Sequence, residues 1–376
     1  MRLVLAYRTL DAPAGSETYL VLVAEQLQAL GHDVTVWTPA PGQMAEVARG
    51  RGIAVRRSLD ELPGEVDGLL AQDGETAYEL AARHPGVPLL FVAHSALWAG
   101  QEPPRLPDAL TEVVVMNERL RERVAAGPGT PAVVRLRQPV DRERSRFGAP
   151  SSGLAQAVLL GHHTSPPRFE AVAKACVAVG VELKVVGGRN TTVTPELEIA
   201  RADAVLGVGR SVLEGMAAGR AAYVLGNDGA DGWVTPESYP ALEADGFAGR
   251  ASDRTLDAET LAKDLAAWSP QMGEANRDLI ARHHDAAEHA TQLVGRLRAA
   301  ATRPGPPPAP IEELARLVRL ASGLENRALA SELRRAREVA ELNERLRYLT
   351  GSRRWQVAAA IARPLDVIRR LRGPGR

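Results

Sequence analysis

The segment from residue 202 to residue 226 constrains the fold of this chain more than any other part. A short apolar run, 203–206, leads into a turn bracketed by Gly207 and Gly209, a helix opens, and a second apolar run follows Gly219. This order of strand, loop, helix and strand is typical of doubly wound α/β proteins. Because a helix begins with free N–H groups and the positive end of its dipole, the glycine turn favours an anion, most often a phosphate.

Two interpretations of this turn are compatible with the local pattern. In the first, the guanidinium of Arg210 adds donors suited to phosphate oxygens, and the ligand is a nucleotide diphosphate. In the second, Ser211 and Glu214 form a capping box, in which each side chain accepts a hydrogen bond from the backbone N–H of the other, and Arg210 is a solvated charge.

The charge balance and the cysteine content exclude several classes of protein. The 376 residues include 46 Lys or Arg and 46 Asp or Glu, so no net field favours nucleic acid. Cys176 is the single cysteine, which excludes an internal disulfide and a thiolate metal cluster and predicts a small core residue. A strand follows Met1 directly, and no apolar run is long enough to span a membrane. We therefore expect no signal peptide, no transmembrane helix and a cytoplasmic protein.

Strands and helices alternate along residues 1–140, which predicts a first Rossmann-like domain with a parallel sheet covered on both faces. Ser16 is a good candidate for the N-cap of the first helix, Gly31 for its C-cap, and Asn117 for the N-cap of a later helix. Strands are predicted at 3–7, 33–37, 53–57, 68–71, 88–93, 112–116 and 132–136, and helices at 18–30, 44–49, 76–83 and after Asn117.

A polar stretch, 138–153, is typical of an interdomain linker and precedes a second alternating block, so residues 141–301 are predicted to form a second Rossmann-like domain. Its predicted strands are 157–161, 182–186, 203–206 and 221–225, and its predicted helices are 168–179, the helix from Val212, 256–268 and 271–298. The last helix is expected to return to the first domain. Ligands of such folds bind at the carboxyl ends of the strands.

The remainder of the chain has three different compositions. Residues 302–310 form a proline-rich linker, and 311–350 form a charged helix that either joins a coiled coil through self-association or packs on the surface. Residues 351–376 contain seven arginines and one acid among apolar side chains. This basic amphipathic pattern predicts binding to an anionic membrane face rather than to nucleic acid, at the inner membrane as a peripheral protein. A helix packed on the other domains, or a loose basic end, gives the same pattern.

Five segments, in this order, resemble glycosyltransferases of the GT-B fold and most closely those of family 4. The segment 14–17 resembles the loop after the first strand of that family, 31–36 its second strand, 91–94 the strand that ends in an active-site histidine, and 138–141 the linker. The segment 209–220 resembles its nucleotide-sugar helix. The resemblance covers about residues 1–300 and implies two doubly wound Rossmann-like domains followed by a helical tail.

The resemblance also implies a function and a set of residues. The expected reaction moves a sugar, such as a hexose, from a nucleotide-diphosphate sugar to a hydroxyl acceptor. The acceptor would be lipid-linked or soluble, in cell-surface polysaccharide or glycolipid assembly. Neither a metal nor a cofactor is expected. The residues that it implies are His94 as catalytic; Gly161, His162, Arg168, Gly209, Arg210, Ser211 and Glu214 as donor-binding; and Gly15 and Ser16 as acceptor-binding.

The chain departs from the family pattern at the donor site. Family 4 has two glutamates separated by seven residues, and Glu214 matches the second, whereas Leu206 stands in place of the first. In family 4 an arginine and a lysine follow the first strand of the second domain. Here Arg168 can substitute for the arginine, but Lys174 falls inside a helix, so the pair is incomplete. A catalytically impaired GT-B protein that acts as a binding or scaffold subunit is therefore the alternative, and a sugar epimerase of the same fold is a further one.

Structural interpretations stand beside the functional ones. His94 at a strand end is equally expected as a hydrogen-bonded core residue, and Gly15-Ser16 as a simple helix start. His162 and His163 are adjacent and point in different directions, so they do not predict a metal site. His283 and His284 lie in a polar helical pattern and are expected to be solvated.

Overall fold

The computed structural model describes residues 1–95, 99–104, 106, 109–126, 132–145, 152–161, 165–187, 192, 194–226, 229–252, 254, 257–300 and 308–351. The chain divides into one compact unit, Met1–Val318, and a second unit that begins at Arg319. Among the described residues, the first unit contains two large β-sheets and one two-stranded sheet, and the carboxyl ends of the parallel strands of the two large sheets carry the residues of interest.

The strands before residue 140 are β1 (Arg2–Ala6), β2 (Thr9–Leu10), β3 (Asp33–Trp37), β4 (Ala40–Pro41), β5 (Ala54–Arg56), β6 (Gly68–Ala71), β7 (Leu89–Ala93), β8 (Leu110–Val115) and β9 (Val133–Arg135). In the described residues, seven of them form a parallel sheet with the order β5-β3-β1-β6-β7-β8-β9, and β2 pairs with β4. The central strands β6 and β7 are buried at every position, as expected for a parallel sheet covered on both faces.

The helices of this first sheet are α1 (Gly15–Ala29), α2 (Gln43–Gly50), α3 (Gly74–Arg83) and α4 (Glu118–Ala125). One face of the sheet packs against α1 and α2, where Leu20 and Leu27 meet Leu5 in a continuous apolar cluster. Two predicted helix boundaries are confirmed. Gly31, with φ +82°, follows α1, and Asn117 Oδ1 accepts from the Leu120 N–H at 2.8 Å at the start of α4.

The second sheet contains β10 (Gln156–Leu160), β11 (Glu182–Val186), β12 (Ala204–Gly207), β13 (Ala221–Leu225) and β14 (Ala230–Trp233). Their order in the described residues is β11-β10-β12-β13-β14, with β14 antiparallel to its neighbour. The helices that follow the linker are α5 (Pro166–Ala178), α6 (Pro195–Arg201), α7 (Arg210–Ala217), α8 (Tyr239–Asp245), α9 (Ala258–Ala266), α10 (Pro270–His283), α11 (Ala286–Ala299) and α12 (Pro308–Gly351). Cys176 is buried in this core as a free thiol, as predicted.

The helix predicted at 271–298 is two helices, because the chain breaks between α10 and α11. Asp285 provides the new N-cap, since its Oδ1 accepts from the N–H groups of Ala287 and Glu288, both at 3.0 Å. The Asp285 backbone pairs with Val140, and the Val140 N–H donates to the His284 carbonyl at 3.0 Å. The linker is therefore held at this break. Helix α10 packs on the second sheet, and α11 packs against α1.

Other predicted boundaries differ from the structure for local reasons. Helix α12 begins at Pro308, inside the predicted proline-rich linker, because proline in a first turn loses no hydrogen bond. The rest of that linker and the basic tail after residue 351 lie outside the described residues. Short elements such as α6 and β14 were not predicted, since they lack a clear apolar period. No helix in the described part of the chain is long and apolar enough to cross a membrane.

Candidate active site between the two sheets

The carboxyl ends of strands β1, β6 and β7 bring polar side chains together at one edge of the first sheet. Tyr7 and Arg8 follow β1, Gln72 and Asp73 follow β6, and His94 follows β7. The backbone N–H of Arg8 donates to Asp73 Oδ2 at 2.8 Å, which joins two of these strand ends. In doubly wound folds this edge is where ligands bind.

His94 is half-buried and takes part in a hydrogen bond, a ring contact and an electrostatic interaction. Its Nε2 is hydrogen-bonded to Gln72 Oε1, and its ring meets the edge of Tyr19 with centroids 4.9 Å apart. Burial lowers the pKa of His94 to about 3, with further contributions from the positive charge of Arg210 and from His289. Arg210 opens helix α7, which follows strand β12 of the second sheet, so charges from both sheets act on the imidazole.

The turn before α7 is held by the segment after α8. Gly209 has φ +55°, which favours glycine, and its N–H donates to the Phe247 carbonyl at 2.9 Å. Phe247 itself has φ +54°, an unfavourable value for a bulky residue. Backbone strain of this kind persists where the surrounding structure fixes it and is concentrated at functional sites.

The capping-box interpretation of this turn is wrong. Helix α7 begins at Arg210, one residue before Ser211, and has no side-chain cap. The Ser211 N–H donates to the Val208 carbonyl at 3.2 Å, while Glu214 Oε1 accepts from Arg210 Nε at 2.8 Å. The charged pair at spacing i,i+4 takes the carboxylate that a capping box would have needed.

This ion pair leaves a donor for a ligand. The side chains of Arg210 and Glu214 are 14% and 22% exposed, and Arg210 Nη1 is buried without a hydrogen-bond partner among the described residues. A positive charge in the first turn of a helix also opposes the helix dipole. An anion with several oxygens would satisfy the free donor and offset the dipole at once.

The remaining predicted donor residues have different surroundings. The Gly161 N–H donates to the Val186 carbonyl at 3.0 Å, so the sheet uses it. Arg168 lies in the first turn of α5. Burial raises the pKa of the Tyr223 hydroxyl, and the positive charge of Arg168 partly opposes that rise. Leu206 is fully buried in the core, so the position of the missing glutamate supplies no polar group. His162 lies outside the described residues.

The N-cap interpretation of Ser16 is wrong, because α1 begins at Gly15 with Ala14 as its N-cap. The Ser16 hydroxyl lies 2.9 Å from Glu17 Oε2 and 3.1 Å from the Tyr7 hydroxyl, which accepts from Gln101 Nε2 at 3.0 Å. Burial raises the pKa of Glu17. The predicted acceptor residue is thus part of a buried cluster of hydroxyl and carboxylate groups beside β1.

Charged contacts join the two sheets next to this site. Arg119 at the start of α4 lies 3.2 Å from Asp245 at the end of α8. Arg135 and Arg137 both contact the buried carboxylate of Glu243, Arg137 with its Nε at 3.4 Å. These contacts hold α8 against the end of the first sheet, and with it the turn at Gly209.

Two buried residues of this region were not predicted from the sequence, and the environment of a third was predicted wrongly. Tyr19 and His289 were not considered, although the Tyr19 hydroxyl lies 2.8 Å from His289 Nε2 in the core. His284 was expected to be solvated but is 2% exposed, because its ring is enclosed by Tyr239 and the linker. The position of His284 next to the N-cap Asp285 was the available signal for its burial, but the hydrogen-bond partners of His284 lie far away in the sequence. Among the described residues, no three His, Cys, Asp or Glu side chains are placed to hold a metal ion.

No protein family matches the sequence, and no curated protein matches it. Its similarity is to solved structures. HepE from Anabaena in complex with UDP has a TM-score of 0.57 at 14% identity, and the match covers 79% of this chain and 99% of the HepE chain. The same protein with UDP-glucose has a TM-score of 0.56 at 13% identity, with 80% and 100% covered. This likeness confirms the predicted GT-B fold, whereas membership of family 4 stays a prediction.

Proposed function

We propose that this chain, which has the GT-B fold, transfers a sugar from a nucleotide-diphosphate sugar to a hydroxyl acceptor. The observation that carries the proposal is the Arg210–Glu214 ion pair at the start of α7, which leaves Arg210 Nη1 without a hydrogen-bond partner among the described residues. His94 and Arg210 each follow a parallel strand, at the carboxyl-end edge where doubly wound proteins bind ligands.

The proposed donor site is centred on Arg210 and the first turn of α7. The free Nη1 of Arg210 would bind a diphosphate oxygen, and Glu214 would accept from the ribose hydroxyls. Gly209, Ser211, Gly161, Arg168 and His162 are kept as proposed contributors to the same site. HepE has been solved in complex with UDP and with UDP-glucose, which supports this class of donor.

The proposed acceptor site lies on the first sheet, beside Gly15, Ser16 and His94. A closed cleft would exclude water, so that the sugar passes to a hydroxyl group. We propose a lipid-linked acceptor in surface polysaccharide or glycolipid assembly, with residues 351–376 on the anionic inner face of the membrane as a peripheral anchor. Flotation on anionic liposomes tests this. A chain that ends at Pro310 should bind more weakly, and equal binding would favour a soluble acceptor.

We propose that the transfer needs no metal ion. The diphosphate charge would be met by Arg210 and by backbone N–H groups at the start of α7. Sugar transfer in the presence of a chelator tests this directly, since a metal-dependent reaction would stop and the proposed one would continue at an unchanged rate.

The experiment for the proposed function is turnover of a panel of nucleotide-sugars by the full chain, with and without candidate acceptors. We expect release of a nucleoside diphosphate that increases with an acceptor and falls in Arg210→Ala. Lys263→Ala is the matched control, because it breaks an ion pair of the same i,i+4 spacing on the exposed face of α9. Binding without turnover would identify a binding or scaffold subunit, and an altered sugar formed without acceptor would identify an epimerase.

A further inference from the structure

Two histidines hold consecutive carbonyl groups of the linker between the sheets. His289 Nδ1 lies 3.0 Å from the Arg137 carbonyl oxygen, and His284 Nδ1 lies 2.7 Å from the Gln138 carbonyl oxygen. His284 lies at the break between α10 and α11, where Val140 also pairs with the backbone of Asp285, and His289 lies in the N-terminal part of α11. The linker is thus fixed by side chains at the point where the chain passes between the sheets.

The Nε2 atom of each histidine is hydrogen-bonded to a tyrosine hydroxyl. One tyrosine lies in a helix packed on the first sheet, and the other lies in a helix packed on the second. Tyr19 of α1 lies 2.8 Å from His289 Nε2, and Tyr239 of α8 lies 2.9 Å from His284 Nε2. A carbonyl only accepts, so each Nδ1 carries the hydrogen and each neutral ring accepts at Nε2. The tyrosines therefore donate. One tyrosine, one histidine and one carbonyl connect the linker to each sheet.

The branch through Tyr19 also reaches the candidate active site. The Tyr19 side chain is fully buried, and its ring lies edge-on to His94 at an interplanar angle of 73°. On its other side, Tyr19 packs edge-on to His289 with centroids 5.5 Å apart. A displacement of the Arg137 carbonyl would move His289, and a packed interior transmits such a shift through Tyr19 to His94.

We infer that Tyr19 and His289 are positioning residues that couple the linker to the imidazole of His94. The matching pair, Tyr239 and His284, holds the linker to the second sheet. The role assigned to His94 rests on the proposed function, whereas the coupling itself is a property of the unliganded chain. It is therefore measurable whether or not a sugar is transferred.

The test is nuclear magnetic resonance of the full chain with 13C-labelled histidine, in which loss of one signal in His94→Gln assigns His94. Tyr19→Phe keeps the ring that touches His94 and removes the hydroxyl, and His289→Leu removes the link to the linker. Both should move the His94 signal. His289→Gln should restore it in part, because an amide keeps one donor and one acceptor. Tyr239→Phe is the control, which should move the His284 signal and leave that of His94 unchanged.

An unchanged His94 signal in His289→Leu, and in Tyr19→Phe where the His289 signal has moved, would overturn the inference. An equal shift of His94 in Tyr239→Phe would also overturn it, since the effect would then be a general loosening. If Tyr19→Phe or His289→Leu does not fold, the His94 signal of His289→Gln is compared with that of wild type. A shift supports the inference, and an unchanged signal overturns it. Where transfer is observed, Tyr19→Phe should lower kcat by about 10-fold and leave the donor KM within about twofold, as expected for misplacement of a reacting group.

Discussion

His94 follows strand β7 of the first sheet, Arg210 opens helix α7 after strand β12 of the second, and the positive charge of Arg210 contributes to the low pKa of His94. Burial is the main cause of the low pKa of His94, about 3, and the Arg210 guanidinium adds to it. The imidazole is therefore neutral at physiological pH, and the positive charge of the site belongs to Arg210. This division of roles leads to the predictions below.

Arg210→Ala and Glu214→Gln should each weaken donor binding. The arginine variant loses a charge-assisted hydrogen bond of about 1.5–3 kcal/mol, which corresponds to roughly 10- to 100-fold in affinity. Titration calorimetry with UDP, GDP and TDP sugars measures this. Lys263→Ala, on an exposed helix face, should bind as wild type does. Unchanged affinity in both site variants, with the fold intact, would place the donor elsewhere.

The proposed transfer activity should show no inflection near pH 6.5 that depends on His94. A histidine with a pKa of about 3 stays neutral throughout the range in which an exposed histidine would titrate. The 13C signal of His94 should remain constant from about pH 5 to pH 8, while that of a solvated histidine moves. Titration of His94 with a midpoint near 6.5 would contradict the lowered pKa of this half-buried imidazole.

The free energy of unfolding should fall as the pH is lowered from about 6.5 to 4. Burial lowers the pKa of His284 and of His289 to about 4, so in this range the unfolded chain binds protons that the folded chain does not. The stabilisation is complete above pH 6.5 and amounts to at most about 3 kcal/mol for each histidine. Urea unfolding at several pH values measures the slope, and His289→Gln should reduce it. An equal slope in that variant would contradict this assignment.

Much of the architecture could be predicted because buried parallel strands are continuous apolar runs. The predicted strands at 33–37, 68–71, 182–186 and 221–225 agree with β3, β6, β11 and β13 at both ends. Helix starts were less predictable, because the hydroxyl of Ser16 and the carboxylate of Glu214 are used by neighbours whose positions depend on the fold. The burial of His284 likewise depends on Tyr239 and Gln138, which no local pattern connects to it.

The domains 1–140 and 141–301 are proposed to move relative to each other when a nucleotide binds. The polar linker is anchored at the break between α10 and α11, and the contacts of Glu243 with Arg135 and Arg137 join the two sheets. Small-angle scattering should show a smaller radius of gyration with saturating UDP. Glu243→Gln should make the unliganded radius larger. No change in either experiment would indicate a rigid pair of sheets.

The most direct test of the account is the rate at which the full chain transfers labelled sugar from its best nucleotide-sugar to an acceptor, compared among wild type, Arg210→Ala and Lys263→Ala. The account predicts transfer by wild type, a similar rate in Lys263→Ala, and a loss of roughly 10-fold or more in Arg210→Ala, since one charged contact is removed from the donor. Transfer that is equal in all three proteins would contradict the assignment of the donor site. Binding of the nucleotide-sugar without transfer to any acceptor would contradict the proposed enzyme.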